Sequence, residues 1–118
     1  MNVQVITLDD ANFDTALKAT NQLVWLDFWG ENCPPCEAVS HWIERLPARF
    51  VGQVMVAKVN VYQCEGLVSR FGILGIPTFL FLWNGEELHR QTDELSEGDL
   101  HNLLDSLLLA QPVAQPTV

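Results

Sequence analysis

Two cysteines separated by two prolines, Cys33-Pro34-Pro35-Cys36, are the residues of this chain whose types and spacing point most directly to chemistry. They follow an apolar run, VWLDFW, and precede a stretch with helical spacing, so Cys33 sits where a buried strand gives way to a helix. A helix start carries unsatisfied amide hydrogens and roughly half a positive charge, which favours thiolate over thiol. Cysteines so placed have pKa values pulled below the free value of about 8.5. Cys36 lies about one turn further on, within reach of a disulfide, so the two thiols can cycle between dithiol and bridge. Proline suits a first helical turn because its missing donor would go unused there. Two of them stiffen the turn, fix the spacing of the sulfurs and leave the Cys36 amide as the nearest remaining donor for Cys33.

Zinc is the competing use of such a pair, but it asks for four ligands, usually from a second close pair. The other candidates, Cys64, His41, His89 and His101, have no paired spacing. Two merely structural cysteines are a further alternative, one that leaves adjacent prolines at a strand-to-helix junction unexplained. Asp27 stands alone in the middle of the apolar run. An ionised carboxylate buried there costs several kcal/mol, so its pKa should rise. Such a group beneath a thiol pair is placed to take a proton from Cys36 during exchange. Pairing with Lys58 on the neighbouring strand is the alternative, and the two are compatible. Ile76-Pro77-Thr78 sets a proline at the mouth of a buried strand, where it is tolerated at the first position. The dipeptide alone favours the trans bond.

The elements that must position these residues follow from apolar periodicity. Val3 to Thr7 alternates as a half-buried strand, and Asp9 or Asp10 caps a helix running to about Lys18. Leu23 to Trp29, Gln53 to Asn60 and Thr78 to Trp83 read as strands buried on both sides. A helix is expected from about Pro34 to Arg49, with a kink or early end near Pro47, and a short one from about Gly66 to Phe71. Asn84-Gly85 predicts a hairpin into a strand from about Glu86 to Thr92, and Ser96 to Asp99 opens a last helix reaching about Leu109. The order predicts an α/β domain over residues 1–109, a mixed sheet with helices on both faces, followed by a mobile tail over 110–118.

At 118 residues the chain suits one domain, which buries roughly 65% of its unfolded surface and needs no staple. The formal net charge of −9 argues against nucleic acid or an anionic membrane as partner. The amino terminus has no basic, apolar leader pattern, and three cysteines do not make a secreted framework. The cytoplasm is therefore the expected compartment, where a close cysteine pair is more often catalytic or metal-binding than structural.

The stretches DFWGENCPPC, VAKVN and FGILGIPTFLFLWNGE, in this order and spacing, resemble the thioredoxin family from about Val3 to Leu109. The resemblance implies the thioredoxin fold and reduction of protein disulfides, with no bound cofactor and with electrons returned by a reductase such as a thioredoxin reductase. It makes Cys33 the exposed nucleophile, Cys36 the buried resolving thiol, Asp27 the buried acid and base, and Lys58 its neighbour. Pro77 becomes a cis proline facing the disulfide, the Ile76 backbone pairs with a bound substrate peptide, and Trp29 packs against the active-site loop. Asn32, Pro34, Pro35 and Asp93 complete the expected docking rim. Here Pro34-Pro35 stands for the family's usual Gly-Pro, Asn32 for a tryptophan, Glu37 for a lysine, His41 for a proline, Tyr62 for an aspartate and Asp93 for a glycine. Asn32, Glu37 and Asp93 make that rim less apolar and more acidic. Two other readings are a binding or holdase module that keeps the fold, and an oxidase or isomerase in an oxidising compartment. Cys64 matches no motif, whether it is an incidental small residue or a regulatory or dimer-forming thiol.

Overall fold

Three apolar segments form the middle of the sheet. In the computed structural model, which describes residues 2–111, they are β2 (Leu23–Trp29), β3 (Val54–Asn60) and β4 (Thr78–Trp83). β1 (Gln4–Leu8) and β5 (Glu86–Gln91) flank them, and α1 (Phe13–Lys18), α2 (Pro34–Glu44), α3 (Glu65–Phe71) and α4 (Glu97–Leu109) connect or close the chain. The strand order is β1-β3-β2-β4-β5. β1 and β2 run parallel to β3, while β4 is antiparallel to β2 and β5 to β4. This is the mixed α/β sheet of a thioredoxin fold. The expected tail beyond Gln111 lies outside the described residues.

Alternation along the strands divides the interior into two cores. Val24, Leu26 and Phe28 of β2 face one side with Phe13 of α1 and Leu67 of α3. Leu23 and Trp25 face the other with Val39 and Ile43 of α2 and Leu100 and Leu104 of α4. Helices thus cover both faces. Trp25 is fully buried, edge-on to Phe79 at 5.1 Å and stacked near Phe81 at 6.2 Å. Burying one such ring is worth about 1.5–3 kcal/mol.

Where boundaries depart from expectation, tertiary contacts or proline explain it. α2 ends at Glu44 rather than Arg49, because Pro47 disfavours helical backbone at Leu46 and lacks the donor to continue. A short 3-10 turn, Ala48–Phe50, follows. α1 begins at Phe13 without a side-chain cap. Asp9 instead accepts the amides of Ala11 and Asn12 at 2.9 and 2.8 Å, closing a turn ahead of it. Asp10 caps a different helix: its carboxylate accepts the amides of Gly66 and Leu67, at 3.0 and 2.9 Å, at the start of α3. A Cβ on Gly66 would lie 2.9 Å from the Asp10 carboxyl carbon, so the cap needs a glycine there. Asn84 and Gly85 both take positive φ, 51° and 82°, which suits a tight hairpin turn. Ser96 caps α4 in a reciprocal box with Asp99. His41 is exposed, but His89 and His101 are half-buried beside Phe81 and Phe50 rather than on the surface. None of the described helices is long and apolar enough to cross a membrane.

Candidate active site

β2 carries the chain from the buried core to Gly30, and a short loop then delivers Cys33 to the start of α2. Asn32 in that loop has φ 57°, a left-handed conformation that asparagine adopts more readily than most residues. The sequence reading placed Asn32 on the rim and missed this backbone role, although its residue type was the signal. Cys33 is extended, with φ −127° and ψ 93°, and forms the N-cap of α2. Pro34 and Pro35 occupy the first helical positions, where no backbone donor is required.

Cys33 and Cys36 form a disulfide with Cα atoms 5.2 Å apart, within the usual range. The Cys36 amide donates to Cys33 Sγ at 3.3 Å, the remaining donor expected once both prolines are in place. Cys33 is 8% exposed and Cys36 3%, so an incoming sulfur has more access to the first. The Cys36 amide and the start of α2 both meet Cys33 Sγ, a position that in general favours thiolate over thiol.

Asp27 shares the strand face of Trp25 and therefore looks toward α2. It is 1% exposed, and neither carboxylate oxygen has a hydrogen-bond partner among the described residues. Burial pushes its pKa up to about 7, against the opposing pull of the Lys58 charge. Lys58 is its register neighbour on β3, yet the direct pair considered from sequence is not made. The ammonium donates to Ser40 Oγ at 3.0 Å and stands 5.1 Å from the ring of half-buried Trp29.

The Ile76–Pro77 bond is cis, as the family resemblance implies and against the expectation from the dipeptide alone. Thr78 Oγ1 donates to the Gly75 carbonyl at 2.6 Å across this turn. A cleft of about 460 Å³ brings Pro35 of α2, Ile76 and Pro77 together with Trp42 and Asp93. Asn32 and Pro34 are exposed next to Cys33 but do not line the cleft, and neither does Trp29. Glu37, Asp93 and Glu94 are exposed around this end of the molecule. Tyr62, noted from sequence only as a departure, lies against the loop: a Cβ on Gly30 would sit 2.5 Å from its Cε2 and 2.9 Å from Ile76 Cδ1. Cys64 is buried at the N-cap of α3, its thiol 3.7 Å from the Leu8 carbonyl and its pKa raised by that burial. Among the described residues, no group of three or more His, Cys, Asp or Glu side chains is gathered to hold a metal.

A disulfide capped by one amide at the start of α2, a buried acid on the strand face toward that helix and a cis proline in the cleft with Pro35 together suit the exchange of two electrons between sulfur pairs. A family model described as Thioredoxin matches residues 4–106. The chain is 29% identical to a thioredoxin of Haemophilus influenzae over 102 residues, covering 86% of this chain and 95% of that protein. It is 29% identical to thioredoxin C-2 of Corynebacterium nephridii over 105 residues, 89% of this chain and 97% of the other. It is 30% identical to a chloroplastic M-type thioredoxin of Triticum aestivum over 105 residues, 89% of this chain and 60% of that protein. By this match and its Cys33–Cys36 pair the chain is a thiol–disulfide oxidoreductase, a member of the thioredoxin family.

Proposed function

We propose that the protein reduces disulfides in target proteins. The observation that carries this reading is the Cys36 amide held 3.3 Å from Cys33 Sγ at the start of α2, which favours Cys33 as thiolate. In the first step that thiolate attacks one sulfur of the target disulfide. The target bond breaks, its other sulfur leaves as a thiolate that takes a proton from solvent, and a mixed disulfide with Cys33 forms. Cys36 then gives its proton to Asp27 and attacks Cys33 Sγ, which releases the second target thiolate and leaves the Cys33–Cys36 bridge. Two electrons pass to the target, and a reductase returns them. Asp27, with a pKa near 7, is matched to proton transfer at neutral pH, and the Lys58 charge keeps it from rising further. Asn32 and Pro34 border the nucleophile. Pro35, Ile76, Pro77 and Asp93 wall the docking cleft, Trp29 supports Lys58, and the Ile76 backbone pairs with the bound peptide. A reducing compartment such as the cytoplasm would set this direction.

Reduction of insulin with dithiothreitol as donor tests the reading. The wild-type chain should accelerate turbidity well above dithiothreitol alone, and Cys33→Ser should return it to that baseline. Equal rates for the two proteins would sink the reductase reading. The acidic rim of Glu37 and Asp93 favours a client-binding module as the second reading, and that module would hold insulin in solution without reducing it.

A further inference from the structure

We propose that Tyr62 is a substrate-contacting residue, forming with Leu74 and Ile76 an apolar shelf that receives an aromatic or large aliphatic side chain flanking the target's disulfide. The inference rests on the reductase reading and names the side-chain class that its site selects. Five large apolar side chains are exposed among the described residues, and two of them, Tyr62 at 66% and Leu74 at 100%, stand on this shelf. They line a hollow of about 290 Å³ with Ile76, Val61, Val68 and Ile73, and no charged side chain enters it. Ile76 also lines the cleft that holds Pro35 and Pro77, so the shelf continues from the docking surface beside the disulfide.

The backbone at Tyr62 is held in place. Its amide donates to Asn60 Oδ1 at 3.0 Å, and the Asn60 side-chain amide donates to Glu31 Oε1 at 3.0 Å, which ties the turn after β3 to the loop that carries Cys33. Its ring occupies the space that any Cβ on Gly30 would need. Positioning of an exposed ring at the cost of a side chain in the active-site loop is the arrangement of a contact surface. Aromatic rings present large contact area with few rotatable bonds, which makes them frequent anchors in protein recognition. Exposed Glu31 stands at the far side of Asn60, and the lining of the hollow itself carries no charge, so the occupant suited to this shelf is uncharged.

The test uses two peptides with one disulfide each, identical except for tryptophan or serine near the cysteine. Prereduced protein, freed of other reductant, is mixed with each peptide, and the second-order rate constant is read in single turnover by acid quench and alkylation. The wild type should favour the tryptophan peptide by about fivefold or more, the scale of one well-packed contact. Tyr62→Ala and Leu74→Ser should bring that ratio close to one, and Tyr62→Phe should keep it. A merely structural role slows both peptides alike and leaves the ratio standing, so an unchanged ratio in Tyr62→Ala overturns the shelf while the reductase reading survives. If the wild-type dithiol passes electrons to neither peptide, the reductase reading falls and the shelf with it.

Discussion

A carboxyl group 1% exposed and without a hydrogen-bond partner holds its proton more firmly than one in water, and Asp27 accordingly has its pKa moved from 3.8 to about 7. Over the interval between those values the native chain keeps a proton that the unfolded chain has lost. Stability therefore falls as pH rises from about 4 to about 7, by about 4 kcal/mol at 1.36 kcal/mol per unit, and this contribution is flat on either side. The lowered pKa values of Glu87, Glu97 and Asp105, each beside an arginine, act in the opposite sense at more acid pH. Comparison with Asp27→Asn isolates the effect. In guanidinium unfolding of the oxidised proteins, the variant should gain on the wild type between about pH 4 and about pH 7 and hold that gain above it. Stability curves that run parallel for the two proteins would show that Asp27 is ionised in the fold. Asp27 was legible in sequence because a lone acid in VWLDFW has no packing reason to be there. Tyr62 was not, since its contact with Gly30 joins residues far apart in the chain.

The first turn of α2 sets how much the Cys33 thiolate is favoured, through the number of amides that reach it. An N-cap side chain can accept from the second or third helical residue, and Pro35 removes the first of these choices. Pro35→Ala restores a donor. A hydrogen bond to a charged group is worth about 1.5 kcal/mol or more, so the Cys33 pKa should drop by about one unit. Stabilising the dithiol form in this way makes the pair a stronger oxidant, raising its potential by about 30 mV. Thiolate absorbance against pH and equilibration with glutathione measure the two shifts, and an unmoved pKa would mean that the Cys36 amide alone governs the sulfur. Local chemistry of this kind is readable in sequence, as are β2 and β4, whose apolar runs end at glycine or turn residues. The cap of α3 was not, because Asp10 acts on a helix more than fifty residues away. The end of α2 was legible only as a choice between kink and stop, since Pro47 forbids continuation without saying where the chain goes next. The isomer at Pro77 belongs to neither class: two residues do not determine it, and only the family resemblance pointed to cis.

The net charge of −9 is unevenly available to partners. All four arginines are paired with carboxylates, Arg45 with Glu97, Arg49 with Asp105, Arg70 with Asp14 and Arg90 with Glu87. The first two of these pairs fasten the end of α2 and the turn after it to α4, and the third fastens α3 to α1. Each lies at the surface, where solvent screening leaves such pairs little weight in stability, so their larger consequence is for the external field, where they cancel. Glu37, Asp93 and Glu94 are exposed near the disulfide with no such partner among the described residues. An approaching protein therefore meets negative potential at the end where exchange occurs, which speeds oppositely charged partners and slows like-charged ones. Screening at about 0.1 M salt confines that potential to about 10 Å. Reduction of a basic disulfide protein should be fast at low ionic strength and slow as salt is added, while an acidic target should show the reverse trend. Replacing both Asp93 and Glu94 with lysine should flatten the two salt dependences toward each other and lower the preference for the basic target several-fold. The two targets' rates at a series of salt concentrations, for wild type and variant, decide the matter. Salt curves that coincide for basic and acidic targets would mean that contact within the cleft, rather than the field at its mouth, selects the substrate.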